Sequence, residues 1–460
     1  MGAKIFLQSL GCPKNLVDSE MMLGLLARDG AEIVLDPEAA DVLIVNTCGF
    51  IGDAKKESID TILDLARMKA ADPTKRLVVT GCLVQRYGGE LQRALPEVDA
   101  FLGTGDFVRL PEVLAETRSP DATSYGGAAH VLPHLSIPRL RTGHFFSAYL
   151  KVSEGCDHTC SFCVIPKIRG RHESRPLASV LTEAEALVAD GVIELNLIAQ
   201  DLTAYGRDLR SRTSLSELLH ALARIDGLRW IRLLYTYPRY VTDALLETIA
   251  SEDKVCAYVD MPLQHASDRM LRSMRRERDG AGLRRLIQRM RARIPGVAIR
   301  TAFIVGFPGE TDGDFAELLQ FVTETRFQRV GVFRYSREEG TAAAALPHQV
   351  PETVKRRRFD ALMRAQAVIS AELNQRMIGT EPAVLVCGED ERGRVYGRLP
   401  SQAPEIDGVV YLGGPAVPGT ISPVRVTAAS TYDLQAEIVA SATRPVIDTA
   451  SESLYIPPPL

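Results

Sequence analysis

Three rhythms of apolar and polar positions follow one another along this chain. In the first 117 residues, short apolar runs at 4–10 (KIFLQSL), 41–45 (DVLIV) and 76–79 (RLVV) predict strands, and the 3.6-periodic stretches 18–29 and 54–70 predict helices. Gly30 suits a left-handed cap on the first helix. This alternation favours a parallel sheet with helices on its faces. The rhythm resumes with strands at 146–152, 193–198, 230–235, 256–261, 297–305 and 330–335, and with helices at 177–190, 242–251, 282–292 and 314–325. Six such units predict a partial (β/α)6 barrel, an incomplete relative of the eightfold one, with an open side and a lateral mouth for a large substrate. A basic helix, 354–373 with KRRR at 355–358, reads as a solvated charged face. After residue 380 the helical period stops. Runs at 382–387, 395–399, 409–412, 424–428 and 434–439, split by Gly and Pro, predict a small antiparallel, OB-like β-barrel.

The fold class is therefore α/β multidomain, divided as 1–117, a Pro-, Gly- and Ser-rich linker 118–141, 142–376, 377–443 and a flexible tail 444–460. A net charge of -4 argues against a whole-chain polyanion binder, though not against a local basic face. With no long apolar stretch and no leader, the expectation is a cytoplasmic protein without a membrane partner. Its eight cysteines are then reduced thiols, free to bind metal.

The segment 154–171, EGCDHTCSFCVIPKIRGR, sets Cys156, Cys160 and Cys163 in a C-x3-C-x2-C run with Phe162 before the last. Three thiolates on one loop can hold three corners of a [4Fe–4S] cube and leave the fourth iron open to a small molecule. A zinc knot, with His158 as fourth ligand, and a chance cluster of buried cysteines are the alternatives. In the first domain Cys12, Cys48 and Cys82 each follow a strand, and in parallel α/β sheets ligands bind beyond the carboxyl ends of the strands. Three cysteines brought to one edge make a candidate second cluster site; otherwise they are small hydrophobes at strand ends. Cys256 and Cys387 match neither pattern and read as structural. The turn 303–311 (FIVGFPGET) puts Gly306, Gly309 and Glu310 between a strand and a helix start, where backbone can approach a carboxylate or phosphate.

The cysteine run with its aromatic resembles the radical S-adenosylmethionine (SAM) superfamily. Together with QSLGCPKNLVDSE, the Cys12/Cys48/Cys82 set and MPLQHASDRMLRSMRR, it resembles the methylthiotransferases over nearly the whole chain. The resemblance implies two [4Fe–4S] clusters, SAM, a C-terminal TRAM module and an electron donor such as flavodoxin. It implies that Cys156, Cys160 and Cys163 hold the cluster that cleaves one SAM to a 5′-deoxyadenosyl radical. Cys12, Cys48 and Cys82 would hold the sulfur, which a second SAM methylates. Phe162, Gln200, Gly306, Gly309 and Glu310 become candidate SAM contacts; Gln200 stands where a glutamate-containing motif is expected for the SAM amino group.

GCPKN with LVDSE resembles the branch that modifies a ribosomal protein, whereas the tRNA-modifying relatives usually carry GCQMN. The implied reaction replaces a hydrogen by SCH3 on the β-carbon of an aspartate in protein twelve of the small ribosomal subunit. Such a C–H is too weak an acid for a side-chain base, so a cofactor radical is the reasonable agent. Between 380 and 440 eight acids face four arginines, which favours a basic protein partner over tRNA. A tRNA methylthiotransferase, and a non-enzymatic zinc protein binding RNA, are the other readings.

Overall fold

The computed structural model describes residues 2–115, 137–276 and 279–439. Most of the expected linker and the whole of the expected tail lie outside the described residues.

Five parallel strands form the first sheet: β1 (Lys4–Ser9), β2 (Glu32–Ile33), β3 (Val42–Thr47), β4 (Arg76–Gly81) and β5 (Ala100–Leu102), in the order β2-β1-β3-β4-β5. This is a flavodoxin-like order, whose reversal between β1 and β3 opens a ligand crevice at the strand carboxyl ends. β2 and β5 are too short to carry a period, so sequence reading passes over them. Three helices follow the long strands: α1 (Pro13–Arg28), α2 (Gly52–Ala71) and α3 (Cys82–Ala94). α1 begins earlier than its apolar stripe suggests. Pro13 suits the first helical turn, and that turn buries Lys14, Asn15, Asp18, Ser19 and Glu20, which hides the stripe.

The second sheet has six parallel strands, β6 (Ser147–Lys151), β9 (Glu194–Ile198), β10 (Trp230–Leu233), β11 (Val255–Asp260), β12 (Ala298–Val305) and β13 (Arg329–Arg334), paired in that order. A two-stranded clip, β7 (Ser153–Glu154) with β8 (Glu173–Ser174), pinches the base of the Cys156–Cys163 loop. The expected helices fall close to expectation, and Ile165–Arg169, Leu215–Ala223 and Asp268–Ser273 are additional. Leu215–Ala223 carries a Ser214–Glu217 capping box that was legible as S-x-x-E.

The expected lateral mouth is largely filled. An incomplete barrel leaves the inner face of its strands without a core of its own. Val17, Met21 and Met22 of α1 cover that face, packing with Tyr149, Trp230 and Tyr258, and Leu385, Cys387 and Ala403 of the C-terminal module complete the same cluster. Polar inner residues are paired across these seams. Glu194, wholly buried, meets Arg232 at 2.9 Å and Arg398 of the C-terminal module at 2.6 Å. Residues at the end of the expected linker are packed as well: Arg139 sits 2.5 Å from Glu20 and 3.0 Å from Glu183. At the edge strand β13, Phe333 remains half exposed.

The C-terminal module is a closed barrel of β14 (Ala383–Glu389), β15 (Val395–Arg398), β16 (Val410–Gly413), β17 (Ile421–Ala429) and β18 (Leu434–Ile438), in the order β14-β15-β16-β18-β17. One pair, β16 with β18, is parallel, which corrects the purely antiparallel expectation. Directions around a closed ring of five cannot all alternate. The basic helix, Glu352–Gln375, also departs from a solvated face. Lys355 and Arg358 are buried, where Lys355 Nζ donates to the Tyr335 carbonyl at 2.8 Å and Arg358 reaches Asp312 at 2.8 Å.

Candidate active site

The first three cysteines gather at the crevice of the N-terminal sheet. Cys12 caps α1 three residues after the end of β1, Cys48 follows β3, and Cys82 opens α3 directly after β4. Two glycines make the approach possible. Gly11 has φ +91°, and a Cβ there would lie 3.1 Å from the Cys48 sulfur; Gly81, at φ +100°, leaves no room for a Cβ beside Asn46. Burial pushes the Cys48 thiol up to about 12, and Cys82 and Cys12 add to the shift. Burial also raises Cys82, against the opposing charge of Arg169.

The barrel cysteines lie on the loop leaving β6, inside the β7–β8 clip. Burial pushes Cys156 to about 12, and the neighbouring Asp201 and Cys160 contribute. Cys163 is likewise held near 12 by burial, with Cys160 and Cys156 raising it and Arg276 lowering it. Arg276 donates to the Cys160 sulfur at 3.5 Å, and the Ile165 amide to the Cys163 sulfur at 3.4 Å. His158, the candidate fourth zinc ligand, is engaged elsewhere: its Nε2 is 2.6 Å from Asp201, and its ring stacks on Tyr237 at 3.7 Å. Among the described residues no three His, Cys, Asp or Glu side chains are grouped to hold a single metal ion.

Between the two sets runs a seam of buried charge that the motifs alone do not announce. Arg169, on the barrel loop, donates to Asn15 of α1, to Asp18 at 2.6 Å, to Glu154 at 3.3 Å and to the Cys82 sulfur at 3.4 Å. Lys151 reaches Asp18 at 2.5 Å and Glu154 at 2.8 Å. Burial alone would raise the Glu154 carboxyl; Lys151 and Arg169 outweigh it and hold the group down near 2. Cys82 also packs against Val164 and Ile168, neighbours of Cys163. The signal for this seam was present in the sequence as polar residues crowding one end of an amphipathic helix. Lys14 belongs to it too, with its ammonium 3.2 Å from the centroid of the Tyr235 ring.

The other candidate contacts collect at the carboxyl ends of β9 and β12. Gln200 donates through Nε2 to Glu154, and its Oε1 has no hydrogen-bond partner. Phe162 packs in an apolar cluster with Met270, Met274, Phe307 and Tyr335. The glycine turn is more self-contained than its pattern suggests. Glu310 accepts the Gly306 amide, and its other oxygen faces His265 Nε2 at 3.7 Å. The Gly309 amide donates to the His348 carbonyl. The helix start expected to favour an anion is closed by Thr311 and Asp314, each capping the other's backbone.

Comparison with known proteins agrees with this arrangement. Residues 150–322 match the Radical SAM superfamily, 378–439 the TRAM domain, and 4–103 a family described as Uncharacterized protein family UPF0004. The fold is shared with the radical S-adenosylmethionine methyltransferase TsrM of Kitasatospora setae, at a TM-score of 0.56 and 16% identity, over 85% of this chain and 81% of that one. Fold and site thus define a radical SAM enzyme with a TRAM module. The chain is 53% identical over 440 residues to the ribosomal protein uS12 methylthiotransferase RimO of Geotalea uraniireducens, spanning 95% of this chain and 98% of the relative. It is 53% identical to that of Geobacter sulfurreducens and 51% to that of an Anaeromyxobacter species, again over 95% of this chain. It belongs to the RimO family of methylthiotransferases.

Proposed function

We propose that this enzyme places a methylthio group on ribosomal protein uS12, at the β-carbon of an aspartate. The observation that carries the reading is the meeting of the two thiol sets: Arg169, six residues beyond Cys163, touches the Cys82 sulfur. Chemistry begun beside one set can therefore be completed beside the other without the substrate leaving.

Cys156, Cys160 and Cys163 would hold one [4Fe–4S] cluster, with SAM bound beside it, and Cys12, Cys48 and Cys82 would hold a second. A cluster held there and reduced by a donor such as flavodoxin would supply the electron that makes SAM a source of a hydrogen-abstracting radical. The chain's own residues place and shield the reactants. The unpartnered Gln200 Oε1 is an acceptor suited to an amino group. Phe162 walls the site with Phe307 and Tyr335, and Gly306, Gly309 and Glu310 fix the turn beside it. Lys151 and Arg169 neutralise Asp18 and Glu154 within the seam. No helix among the described residues is long and apolar enough to cross a membrane.

Mass spectrometry of uS12 and of tRNA, from cells with and without this chain, tests the reading. The expected result is loss of one methylthio increment from uS12 alone. An increment lost from tRNA, with uS12 unchanged, refutes it.

A further inference from the structure

The seam between the thiol sets contains one cation, Lys14, with no carboxylate in contact among the described residues. Asp18 and Glu154 are matched by Lys151 and Arg169, at separations from 2.5 to 3.3 Å, and that group of four is neutral. Glu154 has no free oxygen: one meets Lys151 and Arg169, and the other accepts from Gln200. On the barrel side Asp260 is taken by Arg300 at 2.7 Å. Lys14, only 7% exposed, makes no ion pair among the described residues. Its close contact is the Tyr235 ring. Cys12 and Glu154 lie near enough to favour its charge, but no carboxylate among the described residues touches it, and a buried ammonium gains most from an anion in direct contact.

The aromatic face is itself held in an unfavourable backbone state. Tyr235 has φ +62°, a left-handed conformation rarely adopted outside glycine. Its amide donates to Asp260 at 3.0 Å, and its carbonyl accepts the Leu202 amide at 3.0 Å, so β11 and the turn after β9 together enforce it. Strain of this kind, over-determined by the surroundings, concentrates at ligand clamps. It puts the ring under Lys14 at the carboxyl end of β10, two residues of chain from Cys12.

Resting on the proposed reaction, we infer that Lys14 is the specificity residue that receives the carboxylate of the target aspartate, with Tyr235 beneath it as the platform. The carboxylate and the β-carbon are adjacent atoms of that side chain. A cation beside Cys12 therefore orients the carbon toward the sulfur-bearing set while leaving its hydrogens free. The carboxylate of SAM has the same chemistry, but Lys14 lies in the N-terminal domain beside Cys12, whereas the site read for SAM is by Cys156–Cys163.

Binding separates these possibilities without turnover. Anaerobically reconstituted full-length enzyme, as wild type, Lys14→Met and Lys14→Arg, is titrated with uS12, with uS12 whose target aspartate is replaced by asparagine, and with SAM. Wild type should bind native uS12 about ten- to a hundredfold more tightly than the asparagine form. Lys14→Met should erase that difference, Lys14→Arg should keep part of it, and SAM affinity should be unchanged in all three. Iron content and the electron paramagnetic resonance of the reduced enzyme should match wild type in Lys14→Met. Equal wild-type affinity for the two forms of uS12 overturns the role of Lys14 while leaving the reaction in place. So does weakened SAM binding alone, or an altered cluster signal, which would make Lys14 a partner of SAM or of the thiolates. Failure of wild type to bind either form of uS12 counts against the substrate itself.

Discussion

Replacing Arg169 by Met tests whether the two halves of the site are joined by charge. The guanidinium is buried, and it contributes one of two cations to a neutral group of four. Without it, Lys151 alone faces Asp18 at 2.5 Å and Glu154 at 2.8 Å, leaving one buried negative charge uncompensated. Breaking a buried pair in this way costs about 3–5 kcal/mol. Adding Asp18→Asn restores neutrality, so the double variant should lose only the hydrogen bonds of Arg169 to charged partners, about 1.5–3 kcal/mol. Because the chain has three modules, a single unfolding midpoint is not well defined, and local opening is the better measure. Amide hydrogen exchange in α1 reads it directly. At about 1.4 kcal/mol per tenfold, Arg169→Met should speed the slowest α1 amides by roughly two to three and a half powers of ten, and the double variant by fewer. Exchange within about threefold of wild type, or a double variant worse than the single, would refute the charge argument.

Replacing Cys156, Cys160 and Cys163 together by Ala should halve the iron of reconstituted enzyme, from about eight to about four atoms per chain, and abolish 5′-deoxyadenosine formation; unchanged iron refutes the assignment. Glu194→Gln leaves Arg232 and Arg398 buried without an anion and should cost about 3–5 kcal/mol at the seam with the TRAM barrel, read as faster proteolysis of residues 377–439. The sign with pH is fixed. Burial would raise Glu194, but Arg398 and Arg232 hold it well below its usual 4.5. Its contribution is complete above that value, so the gap between wild type and variant should be flat from about pH 8 to about pH 5 and close only on stronger acidification. Reversal of the exposed Glu389 and Glu391 to Lys should weaken uS12 binding in a salt-dependent way, and unaltered affinity at low salt counts against electrostatic docking. Asp390 is left out, since it accepts the Arg392 and Arg394 amides and holds its turn.

The acidic count of the C-terminal module shows how far composition carries. Eight acids against four arginines is correct as a sum, but the structure spends several of them inside. Arg398 is buried against Glu194, and Asp407 accepts from Tyr258 at 2.8 Å. The balance offered to a partner is therefore set by which charges the barrel has already claimed. The same holds for the KRRR run, half of which is buried as anchoring contacts. Periodicity records which face of an element is apolar, but not which polar residues another module will cover.

The sequence by itself determined the long strands, most of the longer helices and the spacing of the two cysteine sets. Each depends on local facts: a short apolar run, a 3.6 period, cysteines that follow strands or share one loop. A parallel sheet then obliges Cys12, Cys48 and Cys82 to meet at one edge, whatever else the chain does. Only the tertiary structure decided that α1 and the TRAM barrel fill the open side of the six-stranded sheet, that Arg169 links the two sets, and that no carboxylate touches Lys14 among the described residues. These depend on which polar groups meet across module boundaries. Buried charges are selected by their partners, and partners such as Asp18 and Arg169, far apart along the chain, leave no period and no spacing from which to find them.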